Sequence, residues 1–178
     1  MVLKGKIDQA DSLEIFKRIT PIESLSKEQD TDLVIEAISE NIDLKRRLFE
    51  QLEQIFPADT IFATNTSSLS IASLAKELNQ PERLIGIHFF NPAALMPLVE
   101  IIPSLATSPE LVSQCKTWLL QMGKSPVVAK DSPGFIVNRV ARAFYGEAMN
   151  IYEEGIASPD TIDWAMTSIG KFKMGPFL

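Results

Sequence analysis

The chain of 178 residues holds one cysteine, one histidine and eight glycines, at 5, 86, 123, 134, 146, 155, 170 and 175. No two glycines stand close enough to spell GxGxxG, which excludes the tight loop that cradles a dinucleotide pyrophosphate. Cys115 has no second cysteine to pair with, so a reducing, cytoplasmic setting is expected. Basic residues are few, 17 Lys and Arg against 23 Asp and Glu, for a net charge of −6. That balance argues against a phosphate-tracking surface, and nucleic acid is not an expected partner. No apolar run approaches the ~18–20 residues that span a bilayer, so no membrane partner is expected, and the opening MVLKGKIDQ lacks the apolar stretch of a secretory leader. What remains is ordinary: 46% hydrophobic and 22% charged residues, enough for one domain or one domain and part of a second.

Short apolar strands alternate with amphipathic helices, the pattern of βαβ units and a parallel sheet. LVIEAI at 33–38, TIFAT at 60–64, LIGIHFF at 84–90, LVEII at 98–102 and PVVAK at 126–130 read as strands, several of them buried on both faces. Between the first two, Leu44, Leu48, Leu52, Ile55 and Phe56 recur at helical spacing while Lys45, Arg46, Arg47 and Glu50 point elsewhere. A further helix over 108–122 opens on Ser108 and Pro109 and carries Leu111, Cys115, Trp118, Leu119 and Met122 on one stripe. On that stripe Cys115 is a packing residue.

After DSPGF at 131–135 no strand pattern returns. Residues 136–152 are apolar almost all round, as in a helix buried between partners, and Ser158, Pro159 and Asp160 open another helix closed by Gly170. Two such helices need something larger to dock on, a second subunit or a helical domain.

His88 ends the strand 84–90, and carboxyl ends of strands in an open α/β sheet are where ligands bind. If the next strand pairs with it, Glu100 can take the proton of one imidazole nitrogen and leave the other as a general base. A solvated strand-end histidine beside an edge-strand glutamate has the same spacing. The loop ATNTSSLS is dense in hydroxyls, for which Ser68 or Ser70 capping a helix with Ile71, Leu74, Ala75 and Leu78, and Asn65 holding a turn, are a structural explanation. Glu36, Glu40 and Asn41 precede a helix as ordinary dipole complements. Asn138 and Arg139 are a polar pair in an apolar helix and need partners.

HFFNPAALMPLVE at 88–100, NTSSLS at 65–70, KDSPGFIVNR at 130–139 and MGPF at 174–177 together resemble the L-3-hydroxyacyl-coenzyme A dehydrogenase family, in order and spacing, over nearly the whole chain. The resemblance implies an incomplete doubly wound Rossmann-type α/β sheet followed by helices of an all-α dimerisation domain. It divides the chain into 1–131, part of the NAD-binding domain, and 132–178, the start of the helical domain. It implies NAD-dependent oxidation of a 3-hydroxyacyl-coenzyme A to the 3-ketoacyl form in fatty-acid metabolism, by a homodimer. His88 would be the base and Glu100 its orienting partner. Ser67 and Asn138 would hold the substrate oxygen, Asn91 would sit by His88 and the cofactor, and Glu40 and Lys45, with Ser67, would face the nicotinamide half. No metal is implied. The family's GxGxxG unit has no counterpart here, so a middle piece of the family's chain is expected, with weak NAD binding and impaired turnover; a non-catalytic remnant or interaction module is the alternative.

Overall fold

The computed structural model describes residues 8–25 and 30–178; the first seven residues, on which the absence of a leader was read, lie outside them. The chain divides into two compact units, 1–30 and 31–178. In the first, α1 (Gln9–Lys17) starts at Asp8, whose carboxylate accepts the Asp11 N–H at 2.6 Å, and it buries none of its side chains.

The second unit runs β1 (Leu33–Glu36), α2 (Ile42–Ile55), β2 (Ile61–Thr64), α3 (Ile71–Ala75), β3 (Leu84–Phe89), β4 (Leu98–Pro103), α4 (Pro109–Gln121), β5 (Ser125–Val128), α5 (Val137–Glu153) and α6 (Pro159–Trp164), which continues as a π-helical turn. The strands form one sheet in sequence order. β1, β2 and β3 are parallel, β4 is antiparallel to β3, and β5 is parallel to β4. The expected all-parallel sheet is therefore corrected at one step. The 90–97 connection is too short for a crossover helix, and only an antiparallel return fits it.

Side-chain alternation sorts the strands into two cores. Phe62, Leu84 and Ile102 face α2 and α3 with Phe49, Leu52, Phe56, Ile71 and Leu74. Ile61, Ala63, Ile85, Ile87, Val99 and Ile101 face α4 with Leu111, Cys115 and Leu119. β2 is buried throughout, whereas β5 is mostly exposed. Gly86 lies on the first face, where a Cβ would stand 2.9 Å from both Ile102 Cβ and Ile71 Cδ1, so a side chain there would collide with β4 and α3.

The faces of α2 and α4 differ from the sequence reading. α2 buries Lys45, Phe49 and Leu52, with Phe56 just beyond it, while Leu44 is exposed, so the stripe is rotated and Lys45 points inward. Its ammonium lies against acceptors at the carboxyl end of β1, which makes the inward position tolerable. Met122 is exposed beyond the end of α4. α5 buries only Ala148, leaving Val140, Tyr145, Met149 and Tyr152 uncovered. Of its polar pair, Asn138 meets Ser67, and Arg139 is exposed. Among the described residues no helix is long and apolar enough to cross a membrane.

Candidate active site

Antiparallel pairing sets His88 directly opposite Glu100. Both share the face of Gly86 and Ile102, and His88 Nδ1 lies 2.8 Å from Glu100 Oε2. Glu100 is fully buried and His88 is 6% exposed, which removes the solvated alternative. A carboxylate only accepts, so the proton of this hydrogen bond sits on Nδ1, and in the neutral ring Nε2 is the nitrogen that carries the lone pair. The imidazole packs against Phe90 and Phe135, with ring centroids 4.6 and 5.8 Å away.

The other oxygen of Glu100 has a different task. Oε1 accepts the N–H groups of Ile136 and Val137, at 2.9 and 3.0 Å. These are orphan donors at the start of α5, whose N-cap residue Ile136 supplies no side-chain bond. A strand carboxylate thus caps the helix. The chain reaches that position through Gly134 and Phe135, both in the left-handed region at φ 77° and 46°. The unfavourable conformation of Phe135 is held by its ring, which is buried beside His88.

α5 then places Asn138 so that its side-chain amide donates to the Ser67 carbonyl at 3.4 Å, joining the hydroxyl loop to the helix. Ser70 caps α3 by accepting the Ser73 N–H, and it donates in turn to Asp131, which also accepts the N–H groups of Ile71 and Ala72. Ser70, and not Ser68, is the cap. Asn65, expected to hold a local turn, instead accepts the Phe89 N–H at 2.8 Å with its side-chain oxygen, tying the end of β2 to the end of β3. Asn91 is exposed just beyond β3.

Glu40 is bound to the same loop. Its Oε1 accepts the Thr66 hydroxyl at 2.5 Å, the Ser67 N–H at 3.1 Å and the Ser68 hydroxyl at 3.1 Å, and the Ser67 hydroxyl lies at 3.5 Å. Burial opposes the charge on Glu40, but the bonds from Thr66, Ser68 and Ser67 and the Lys45 ammonium outweigh it, and the carboxyl is held below its ordinary value. Lys45, only 1% exposed, reaches Glu36 Oε1 at 2.6 Å, the Ile38 carbonyl at 3.2 Å and Glu40 Oε2 at 3.5 Å.

Sequence reasoning missed Glu36 and Asp131. Glu36 is no dipole complement: it is buried, and beside Lys45 it accepts the Thr64 hydroxyl and the Ile38 N–H, each at 2.6 Å. A signal existed, since Lys45 falls in line with Phe49, Leu52 and Phe56, and a lysine heading an apolar stripe needs a buried acceptor nearby. Asp131 had none beyond its place in the DSPGF turn.

Comparison with known proteins agrees with this geometry. Residues 1–132 match the family model described as 3-hydroxyacyl-CoA dehydrogenase, NAD binding domain, and residues 134–178 match 3-hydroxyacyl-CoA dehydrogenase, C-terminal domain. The chain is 45% identical over 175 residues to the 3-hydroxyadipyl-CoA dehydrogenase of Escherichia coli, covering 98% of this chain and 37% of that protein. It is 41% identical over 173 residues to the probable 3-hydroxybutyryl-CoA dehydrogenase of Bacillus subtilis, covering 97% and 60%. The crystal structure of the (S)-3-hydroxybutyryl-CoA dehydrogenase of Ralstonia eutropha superimposes with a TM-score of 0.94 at 40% identity, over 98% of this chain and 62% of that one. The chain therefore spans less than two thirds of each of these relatives. Through both domain models and these similarities, the chain belongs to the 3-hydroxyacyl-CoA dehydrogenase family.

Proposed function

We propose that this chain carries the proton-transfer and substrate-orienting half of an NAD-dependent dehydrogenase that oxidises an L-3-hydroxyacyl-coenzyme A to the 3-ketoacyl form in fatty-acid metabolism. The observation that carries this reading is the buried His88–Glu100 pair, with its 2.8 Å bond on Nδ1 and its basic Nε2. Neutral His88 takes the hydroxyl proton through Nε2, and Glu100 keeps the imidazole in the correct tautomer and favours the cation that forms. Ser67 and Asn138, brought together at 3.4 Å, hold the substrate oxygen, and Asn91 borders His88.

The chemistry that NAD would supply when bound is a nicotinamide ring able to take the hydride from the substrate's C3. The hydroxyl-rich loop after β2 fits its nicotinamide half, with Glu40 and Ser67 facing it and Lys45 acting through Glu40. The 178 residues offer no glycine-rich cradle for the pyrophosphate. Two or three charge-assisted hydrogen bonds at roughly 1.5–3 kcal/mol each amount to several powers of ten in affinity.

The test is the oxidation of NADH by acetoacetyl-coenzyme A. The purified chain is expected to show no measurable turnover. Adding an N-terminal βαβ unit with GxGxxG is expected to restore it, and His88→Gln to abolish it again. A restored unit that binds NADH without turnover would favour the non-catalytic remnant instead. A homodimer through the helices beyond residue 132, in a cytoplasmic setting, belongs to the same reading. It would cover the exposed Val140, Tyr145 and Trp164, and sedimentation at high concentration tests it.

A further inference from the structure

Glu36, Thr64 and Lys45 are 3%, 0% and 1% exposed, and their polar atoms form one continuous path. Glu36 Oε2 accepts the Thr64 hydroxyl at 2.6 Å, and the Thr64 oxygen accepts the Thr66 N–H at 3.3 Å. From Oε1 the path runs at 2.6 Å to the Lys45 ammonium, at 3.5 Å on to Glu40, and from Glu40 to the hydroxyls of Thr66 and Ser68 and the N–H of Ser67. Two routes leave one carboxylate and meet at Thr66, and the second also holds Ser67 and Ser68. An ion pair that only neutralised Lys45 would need neither the Thr64 bond nor the second acid, Glu40, which lies at the surface and links the buried pair to the loop.

We propose that Glu36 is a positioning residue, which holds the 66–68 loop in place from beneath, through Thr64 on one side and through Lys45 and Glu40 on the other. This rests on the reading of Ser67 as the residue that faces substrate and nicotinamide. Glu36 sets where the Ser67 hydroxyl stands without touching either.

The two roles predict opposite signs. If Glu36 merely neutralises Lys45, Glu36→Gln removes a negative charge near Glu40 and leaves Lys45 free to attract it, so Glu40 becomes more acidic or stays as it is. If Glu36 positions the network, the same change loosens Lys45 and the loop, and Glu40 titrates closer to an ordinary carboxyl.

The experiment is a titration of the whole chain from about pH 3 to 6, followed by the amide signals of Ser67 and Ser68 in proton–nitrogen correlation spectra, with amide hydrogen exchange measured alongside. In Glu36→Gln the titration midpoint is expected to rise, and Ser67 exchange to quicken about tenfold while Ile87 in β3 keeps its rate. A midpoint that falls or stays, with unchanged Ser67 exchange, overturns the proposal. Should Glu36→Gln fail to fold, Thr64→Val removes only one hydroxyl: faster exchange at Thr66 and Ser67 supports the proposal, and unchanged exchange overturns it. In the enzyme restored with GxGxxG, Glu36→Gln is expected to raise KM more than it lowers kcat. None of the spectroscopic readouts needs turnover, so a loosened loop in a chain whose restored form is inactive overturns the dehydrogenase reading and leaves the positioning role standing.

Discussion

Glu100 accepts the Val137 N–H at 3.0 Å with one carboxylate oxygen while the other holds the His88 imidazole at 2.8 Å. One buried side chain therefore fixes the proton position on the histidine and starts the helix that carries Asn138. Removing it disturbs chemistry and architecture together, and the two effects can be separated by choice of replacement.

Glu100→Gln keeps an oxygen for the two helix N–H groups but turns a donor toward Nδ1, which moves the imidazole proton to Nε2. Stability is expected to fall by about 1–2 kcal/mol, and turnover in the restored enzyme by about 10²–10⁴-fold. Glu100→Ala strands both N–H groups and the imidazole and is expected to cost about 2–4 kcal/mol. Urea unfolding beside NADH kinetics checks both.

Gly86→Ala would push a methyl into Ile102 and Ile71 at 2.9 Å. Overpacking of this kind costs about 1–3 kcal/mol, and shortening the neighbour in Gly86→Ala/Ile71→Val is expected to recover part of it. Thermal unfolding of the two variants gives the comparison.

Glu40 is held below the ordinary carboxyl value, with burial opposing the charge and the Thr66, Ser68 and Ser67 bonds and Lys45 favouring it. A lowered folded value means stability present above the unfolded value and lost as pH falls through the folded one. The melting temperature of the native chain is thus expected to drop more steeply on acidification than that of Glu40→Gln, over the acid range below the ordinary carboxyl value.

Cys115 is fully buried on the sheet-facing side of α4, and burial pushes its thiol up to about 11. Iodoacetamide is expected to leave it unmodified in the folded chain near neutral pH and to label it fully in denaturant. Prompt labelling of folded protein would mean that α4 opens locally.

Much of this site was legible because it depends on strands. The core runs of β1 to β4 announced themselves by β-branched residues and polar breaks, and the spacing of His88 and Glu100 is that of a tight return between neighbours. The antiparallel step was readable from the length of 90–97. Lys45 misled because a lysine on a helix normally faces water, and its buried acceptor lies on another element, nine residues earlier. The capping of α5 by Glu100 could not be read at all. It joins residues separated by 36 and 37 positions, through a left-handed Phe135 whose conformation no local preference predicts.

The two halves of the site differ in the chain length they enclose. His88 and Glu100 are 12 residues apart across a hairpin, whereas Ser67 and Asn138 meet across 71. Closing a longer loop costs more chain entropy, and a hairpin can form while distant segments are still loose. A partly unfolded molecule that keeps β3 and β4 therefore still owns the His88–Glu100 pair after it has lost the Ser67–Asn138 contact. On the proposed dehydrogenase reading, mild destabilisation should surface first as weakened substrate affinity, and only later as a missing proton acceptor.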